Sequence, residues 1–289
     1  MSVLKEAARA KLNLTLLVHG RRPDGYHELE SLVVFTDLAD HVSLATEEAP
    51  GLELTGPFAG AIDGENLMQR VALAAAAHVP GLSAGRISLE KRLPVAAGLG
   101  GGSADAAALL RLLMRMDPRR LTANIAETIA NALGSDILAC LNNGPALMQG
   151  RGERLTPVSG LPRAGVVLAN PGAPLSAAEI YGDLGACDLA ADFVPETASL
   201  DFENSFARLA DYLAARGNDL QATAVRRLPV IAGLLEALEG LEDARCVRLS
   251  GSGPTCFALF ETEGMAARQA EILAERHPEW WVQATAIGG

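Results

Sequence analysis

Pro94-Val95-Ala96-Ala97-Gly98-Leu99-Gly100-Gly101-Gly102-Ser103-Ala104-Asp105-Ala106-Ala107-Ala108 is a glycine-rich turn that runs directly into alanine-rich, helix-forming sequence. Ser103 is the residue type that caps such a helix. Glycines let the backbone take φ > 0 and let a ligand approach it closely, and the first turn of a helix leaves unpaired N–H groups carrying roughly half a positive charge. A loop feeding a helix start is therefore an anion cradle, and phosphate is its usual guest. Glycine clusters also make plain tight turns, but four glycines within positions 98–102 exceed what a turn requires.

The two better-known phosphate loops do not fit this stretch. GxGxxG fails because Ser103 stands in place of the third glycine, and GxxxxGK[ST] fails because the chain contains no Gly-Lys pair. Just upstream, Lys91 and Arg92 close a strand-like run from Arg86 and are expected to add positive charge beside the loop.

Toward the start of the chain, Lys11-Leu-Asn-Leu-Thr-Leu-Leu alternates with period two, so that Lys11, Asn13 and Thr15 share one strand face and Leu12, Leu14 and Leu16 the other. By periodicity alone the polar face is a solvated one. Arg21-Arg-Pro-Asp-Gly-Tyr-His27 carries a turn signal and puts a basic pair, a ring and an imidazole on one loop. Tyr26 with His27 has the chemistry to read a planar base by stacking and hydrogen bonding. Strands are expected at Ser31–Phe35, His41–Ala45 and Leu52–Thr55, and a helix at Asn66–His78. Gly81-Leu-Ser-Ala-Gly85 matches GxSxG. A nucleophile elbow needs strand, turn, helix in that order, and here the helix comes first, so Ser83 reads as part of a connector.

Beyond the glycine loop, helices are expected at Ser103–Met116 and Thr122–Leu133, and then comes Gly134-Ser-Asp136 at the mouth of another apolar helical turn. A carboxylate there is also an ordinary N-cap. Pro157, Gly160 and Pro162 break the periodicity and suggest domains at 1–158 and 159–289. The second half alternates strand, helices, strand, strand, helix, strand, an α+β order. It contains Ser250-Gly251-Ser252-Gly253-Pro254, a glycine loop that serves as a hairpin turn or closes over a phosphate.

Composition narrows the classes. With 24 Lys and Arg against 35 Asp and Glu, the net charge of −11 repels nucleic acid and acidic membrane surfaces, so a polyanionic ligand needs a local basic pocket. Cys140, Cys187, Cys246 and Cys256 lack ligand spacing and indicate neither a zinc site nor a disulfide framework. Early charges argue against a signal peptide and no apolar run spans a bilayer, so a cytoplasmic protein is expected.

Three separated pieces, Ala10-Lys-Leu-Asn-Leu, Gly98-Leu-Gly-Gly-Gly-Ser and Ser250-Gly-Ser-Gly-Pro-Thr, follow in the order that resembles the GHMP kinase superfamily over nearly the whole chain. The run Arg22-Pro-Asp-Gly-Tyr-His-Glu-Leu is similar to those members that phosphorylate a cytidine-diphospho sugar alcohol in non-mevalonate isoprenoid synthesis. Homoserine or mevalonate kinases share the loop without that run.

The resemblance implies an α+β, two-domain fold, with an N-terminal domain like ribosomal protein S5 domain 2 and a C-terminal ferredoxin-like sandwich. It implies ATP and Mg²⁺ as cofactors, and a monomer or weak homodimer without nucleic-acid or membrane partners. Asp136 would be the general base and Lys11 the group stabilising alkoxide and phosphoryl charge. ATP would lie on Lys91 and Pro94 to Ala104, with Ser103 approaching the metal. Asn13, Tyr26, His27, Tyr181, Gly251 and Gly253 would hold the acceptor. The chain departs from the family at Ala104, Ile137-Leu138 and Ala177, where serine, Val-Pro and threonine are common.

Overall fold

The computed structural model describes residues 3–195 and 199–288. In chain order it forms β1 (Val3–Asn13), β2 (Leu17–Arg21), β3 (His27–Ala45), β4 (Gly51–Thr55), α1 (Leu67–His78), β5 (Arg86–Glu90), α2 (Gly101–Met116), α3 (Ala123–Leu133) and α4 (Ile137–Asn142). There follow β6 (Ala146–Gly150), β7 (Arg154–Pro157), β8 (Ala164–Asn170), α5 (Ala177–Asp183), α6 (Phe206–Ala214), α7 (Gln221–Arg227), α8 (Val230–Glu239), β9 (Cys246–Leu249), β10 (Cys256–Phe260), α9 (Glu263–Arg276) and β11 (Trp281–Ile287). These elements gather into two compact units that interleave along the chain. The first takes the chain up to Lys11, Leu38–Val95 and Gly100–Asn143; the second takes Leu12–Asp37, Ala96–Leu99 and everything from Gly144 on. A cut at 158/159 therefore does not separate them.

In the first unit β4 runs parallel to β5, and β5 pairs antiparallel with the second half of β3, His41 opposite Glu90 and Ala45 opposite Arg86. Helices α1, α3 and α4 pack around α2. Nine residues of α2 are buried, from Ala104 to Leu113, which is what a helix apolar on nearly every side must do. Alanine at 104, 106, 107 and 108 keeps it thin enough to be surrounded.

In the second unit β11, β8, β10 and β9 form an antiparallel sheet in that order. Every residue of β8 and β10 is buried, as the uninterrupted apolar runs Val166–Ala169 and Cys256–Phe260 demand. Leu16 and Leu29 join the same core as Val167, Leu234, Leu249 and Phe260, so the early strands belong to this unit. The first half of β3 pairs with β2 and with β6, and β6 pairs with β7.

Several expectations change. The separate strands at Ser31–Phe35 and His41–Ala45 are one strand of 19 residues; the polar interval that seemed to break it contains Thr36 and Asp40, both fully buried. β1 begins at Val3, where Ala8 and Ala10 turn inward and Lys5 and Arg9 outward, a pattern hidden by the weak strand propensity of alanine. Helix α2 starts at Gly101 with left-handed Gly100 (φ 62°) at its N-cap, so Ser103 is inside the first turn and caps nothing. Ser83 lies between α1 and β5, as the order of elements required. Cys140, Cys246 and Cys256 are buried thiols, whereas Cys187 is exposed. Among the described residues no helix is long and apolar enough to cross a membrane.

Candidate active site

The polar face of the opening strand is not solvated. Lys11, Asn13 and Thr15 are all at most 3% exposed, which costs free energy unless each finds a partner. Lys11 finds one in Asp136: its Nζ lies 3.0 Å from Asp136 Oδ2. Asp136 occupies the N-cap position of α4, yet its side chain makes no capping hydrogen bond there. About a third of that side chain stays open to solvent while the lysine is sealed, so the carboxylate is the accessible member of the pair.

The stem of Lys11 runs against Gly100. A Cβ built on Gly100 would meet Lys11 Cε at 3.1 Å and Cβ at 3.2 Å, and φ 62° disfavours any other residue. The first turn of α2 begins at the next residue. Its first helical hydrogen bond runs from Ala104 N–H to Gly100 C=O, so the N–H groups of Gly101, Gly102 and Ser103 precede the ladder. Nothing lies within 4 Å of where a Gly102 Cβ would stand. The first unit alone thus brings together an ammonium, an accessible carboxylate and a helix N-terminus.

Lys91 behaves differently from expectation. It is buried, and its Nζ donates to Asp40 Oδ2 at 2.6 Å and to Asp105 Oδ2 at 2.7 Å, so its charge is consumed inside the protein and its ammonium is not offered to a phosphate. Burial works against that charge, but Asp105 and Asp40 outweigh it and hold the ammonium above its ordinary range. Burial also pushes the Asp105 carboxyl up to about 7 despite Lys91.

In the second unit the remaining part of the glycine loop, Ala96–Leu99, lies on Ser250–Thr255. Thr255 N–H donates to Ala97 C=O (3.1 Å) and Ser250 Oγ–H to Gly98 C=O (3.0 Å). Gly98 (φ 74°) has no room for a side chain, since a Cβ would stand 2.5 Å from Ser250 O. Ser250 Oγ also accepts from Asn13 N–H at 3.3 Å, and the Asn13 amide donates from Nδ2 to Ser31 Oγ at 2.7 Å. Asn13 Oδ1 faces Gly251 (φ 57°), 3.2 Å from where a Cβ there would sit. Gly253 (φ 84°) packs on Leu249. The loop is a hairpin, β9 to β10, and also the seat of Ala96–Leu99.

Tyr26 lies in the bend before β3, and His27 opens the strand. Its ring stacks on Tyr181, centroids 5.2 Å apart and planes at 28°, while half-exposed Tyr26 lies under the Arg151 guanidinium, also at 5.2 Å. Burial first and the charge of Arg21 second hold His27 below its ordinary value, so the imidazole is neutral at pH 7. Sequence reasoning missed Ser31, Arg151 and Asn218, whose Nδ2 donates to the carbonyls of Leu249 and Gly251 at 2.8 Å each. It also missed Asp40 and Asp105. For Asp105 the signal was an acid amid alanines and leucines on a largely apolar helix.

Among the described residues no three His, Cys, Asp or Glu side chains converge on a point. That donor set does not suit a dedicated metal cage. It fits a hard cation that arrives with phosphates and keeps its waters, with a hydroxyl such as Ser103, partly exposed on the first turn of α2, as a protein contact.

Comparison with known proteins agrees across the whole chain. A GHMP kinases N terminal domain matches residues 66–144 and a GHMP kinases C terminal domain matches residues 198–279. The chain is 43% identical over 286 residues to the 4-diphosphocytidyl-2-C-methyl-D-erythritol kinase of Parvibaculum lavamentivorans, covering 98% of each chain. The kinase of the same name from Methylobacterium radiotolerans is 43% identical over 294 residues, covering 99% of each. A crystal structure of 4-(cytidine 5'-diphospho)-2C-methyl-D-erythritol kinase superposes with a TM-score of 0.79 at 32% identity, covering 99% of this chain and 100% of that one. The homoserine kinase from Cytophaga hutchinsonii shares the fold alone, with a TM-score of 0.65 at 15% identity, covering 100% of this chain and 95% of that one.

Proposed function

Since the chain belongs to the 4-diphosphocytidyl-2-C-methyl-D-erythritol kinase family and is a two-domain α+β small-molecule kinase that uses ATP, we propose that it moves the γ-phosphoryl of ATP to the 2-hydroxyl of 4-diphosphocytidyl-2-C-methyl-D-erythritol. The observation that carries this reading is the Lys11–Asp136 pair, 3.0 Å apart, with the lysine stem against the glycine that opens α2.

The acceptor hydroxyl gives its proton to Asp136, and its oxygen forms a bond to the γ-phosphorus as the bond to the β-phosphate oxygen breaks and ADP leaves. Lys11 holds the charge that develops on the alkoxide and on the transferring group, with little reorganisation because it is already buried and fixed. The N–H groups at the start of α2 and the backbone of Pro94 to Ala104 hold the triphosphate. Mg²⁺ supplies charge neutralisation on the phosphate oxygens when it is bound, and Ser103 would be its protein contact. His27, Tyr181 and Tyr26 supply rings for the cytosine end of the acceptor, and Asn13, Gly251 and Gly253 line its polar part. The domains read as an N-terminal kinase domain to residue 158 and a C-terminal one from residue 159, with Leu12–Asp37, Ala96–Leu99 and Gly144–Val158 of the first falling in the second compact unit.

Asp136→Asn tests the chemistry. With ATP, Mg²⁺ and the cytidine acceptor, kcat is expected to fall about 10²- to 10⁴-fold while KM for ATP stays within about twofold. Turnover near that of the parent would remove the base from the scheme. ADP release only with homoserine or mevalonate would overturn the acceptor.

A further inference from the structure

The first unit buries three charged side chains that the reaction does not use. Asp40, Lys91 and Asp105 are each at most 4% exposed, and the single ammonium bridges both carboxylates. One carboxylate neutralises one ammonium; the second either takes a surplus negative charge into the interior or keeps its proton there, and burial holds the Asp105 carboxyl between the two, at about 7. Asp105 Oδ1, moreover, has no hydrogen-bond partner among the described residues. A buried charge without full compensation opposes folding, so a cluster serving stability alone would omit one acid.

What the surplus acid achieves is visible in what the cluster joins. Asp40 Oδ1 accepts the N–H groups of Arg92 (2.5 Å) and Leu93 (2.8 Å), which lead into the glycine loop. Asp105 rides on α2, into which the loop empties. Lys91 Nζ connects the two, and it lies against the first turn itself, 3.1 Å from where a Cβ on Gly101 would stand. The loop is thus clipped at both ends by one buried ion triad.

We propose that Asp105, acting through Lys91, is a positioning residue that locks the start of α2 to the strand end before the loop, so that the N–H groups of Gly101, Gly102 and Ser103 keep a fixed aim at a phosphate. The proposal rests on the loop being the triphosphate cradle.

Asp105→Ala removes the far clip yet leaves Lys91 neutralised by Asp40, so no charge is stranded and the protein is expected to melt at or above the parent's temperature. In the ligand-free protein, amide exchange across residues 94–103 is expected to accelerate at least about tenfold, and KM for ATP to rise about ten- to a hundredfold, with KM for the acceptor within about twofold. Asp105→Asn, which still offers Lys91 an oxygen, is expected to recover most of the ATP affinity. Unchanged loop exchange, or equal rises in both KM values, would overturn the clip. Faster exchange with an unchanged KM for ATP would instead show that the loop is not the cradle, and the proposed function would lose its nucleotide site.

Discussion

At the level of single residues, the neutral imidazole of His27 has consequences for both binding and stability. Its pKa is depressed in the folded protein, so the unfolded chain takes up the proton first. The stability it contributes is complete above about 6.5 and is lost as pH falls through the lower folded value. His27→Gln is therefore expected to flatten the fall in urea midpoint between pH 7 and pH 5.5, and a parallel fall in both proteins would count against a partly buried neutral ring. Its stacking partner makes a separate prediction. Tyr181→Ala is expected to raise KM for the cytidine acceptor by the equivalent of about 1–3 kcal/mol, typical of a lost base stack, with KM for ATP unchanged. If Tyr26→Ala has the larger effect, the base stacks on the ring beside Arg151 instead.

At the level of elements, two glycines of one loop have opposite requirements. Gly98 has a left-handed backbone and carbonyls where a side chain would go, so Gly98→Ala is expected to lower stability by more than about 1 kcal/mol by denaturant melt. Gly102 lies in the first turn of α2 with open space where its Cβ would be. Gly102→Ala is expected to leave stability unchanged or raise it by up to about 1 kcal/mol, while raising KM for ATP if a phosphate fills that space. A stabilised variant with parental KM would mean the phosphate lies elsewhere.

The sequence made this loop legible because its glycines leave a compositional mark, and Lys11 and Asp136 stood out through family likeness. What stayed hidden were features set by tertiary partners. Lys91 looked like a charge offered to a phosphate in the loop until Asp40 and Asp105 were seen around it. β3 looked like two strands because buried Thr36 and Asp40 mimic a loop. β2 and β6 are short strands that pair with β3, and β7 in turn pairs with β6, dependences that period-two counting cannot reveal.

For the whole molecule, the interleaved units predict that residues 159–289 made alone will not fold. The core around Val167, Leu234 and Phe260 would lack Leu16 and Leu29, and the first half of β3 would be missing. A cooperative thermal transition from that fragment would show that the second unit is self-sufficient. The net charge of −11 likewise predicts no salt-sensitive shift of RNA in a gel. The pairing of Thr36 with Ile287 also bears on biosynthesis. A growing polypeptide exposes the middle of a long strand well before its distant mate is translated, and such delayed, non-local pairing slows acquisition of the native state and leaves an unsatisfied edge in the meantime. Newly made chains of this protein should therefore need chaperone protection during synthesis more than its moderate size suggests.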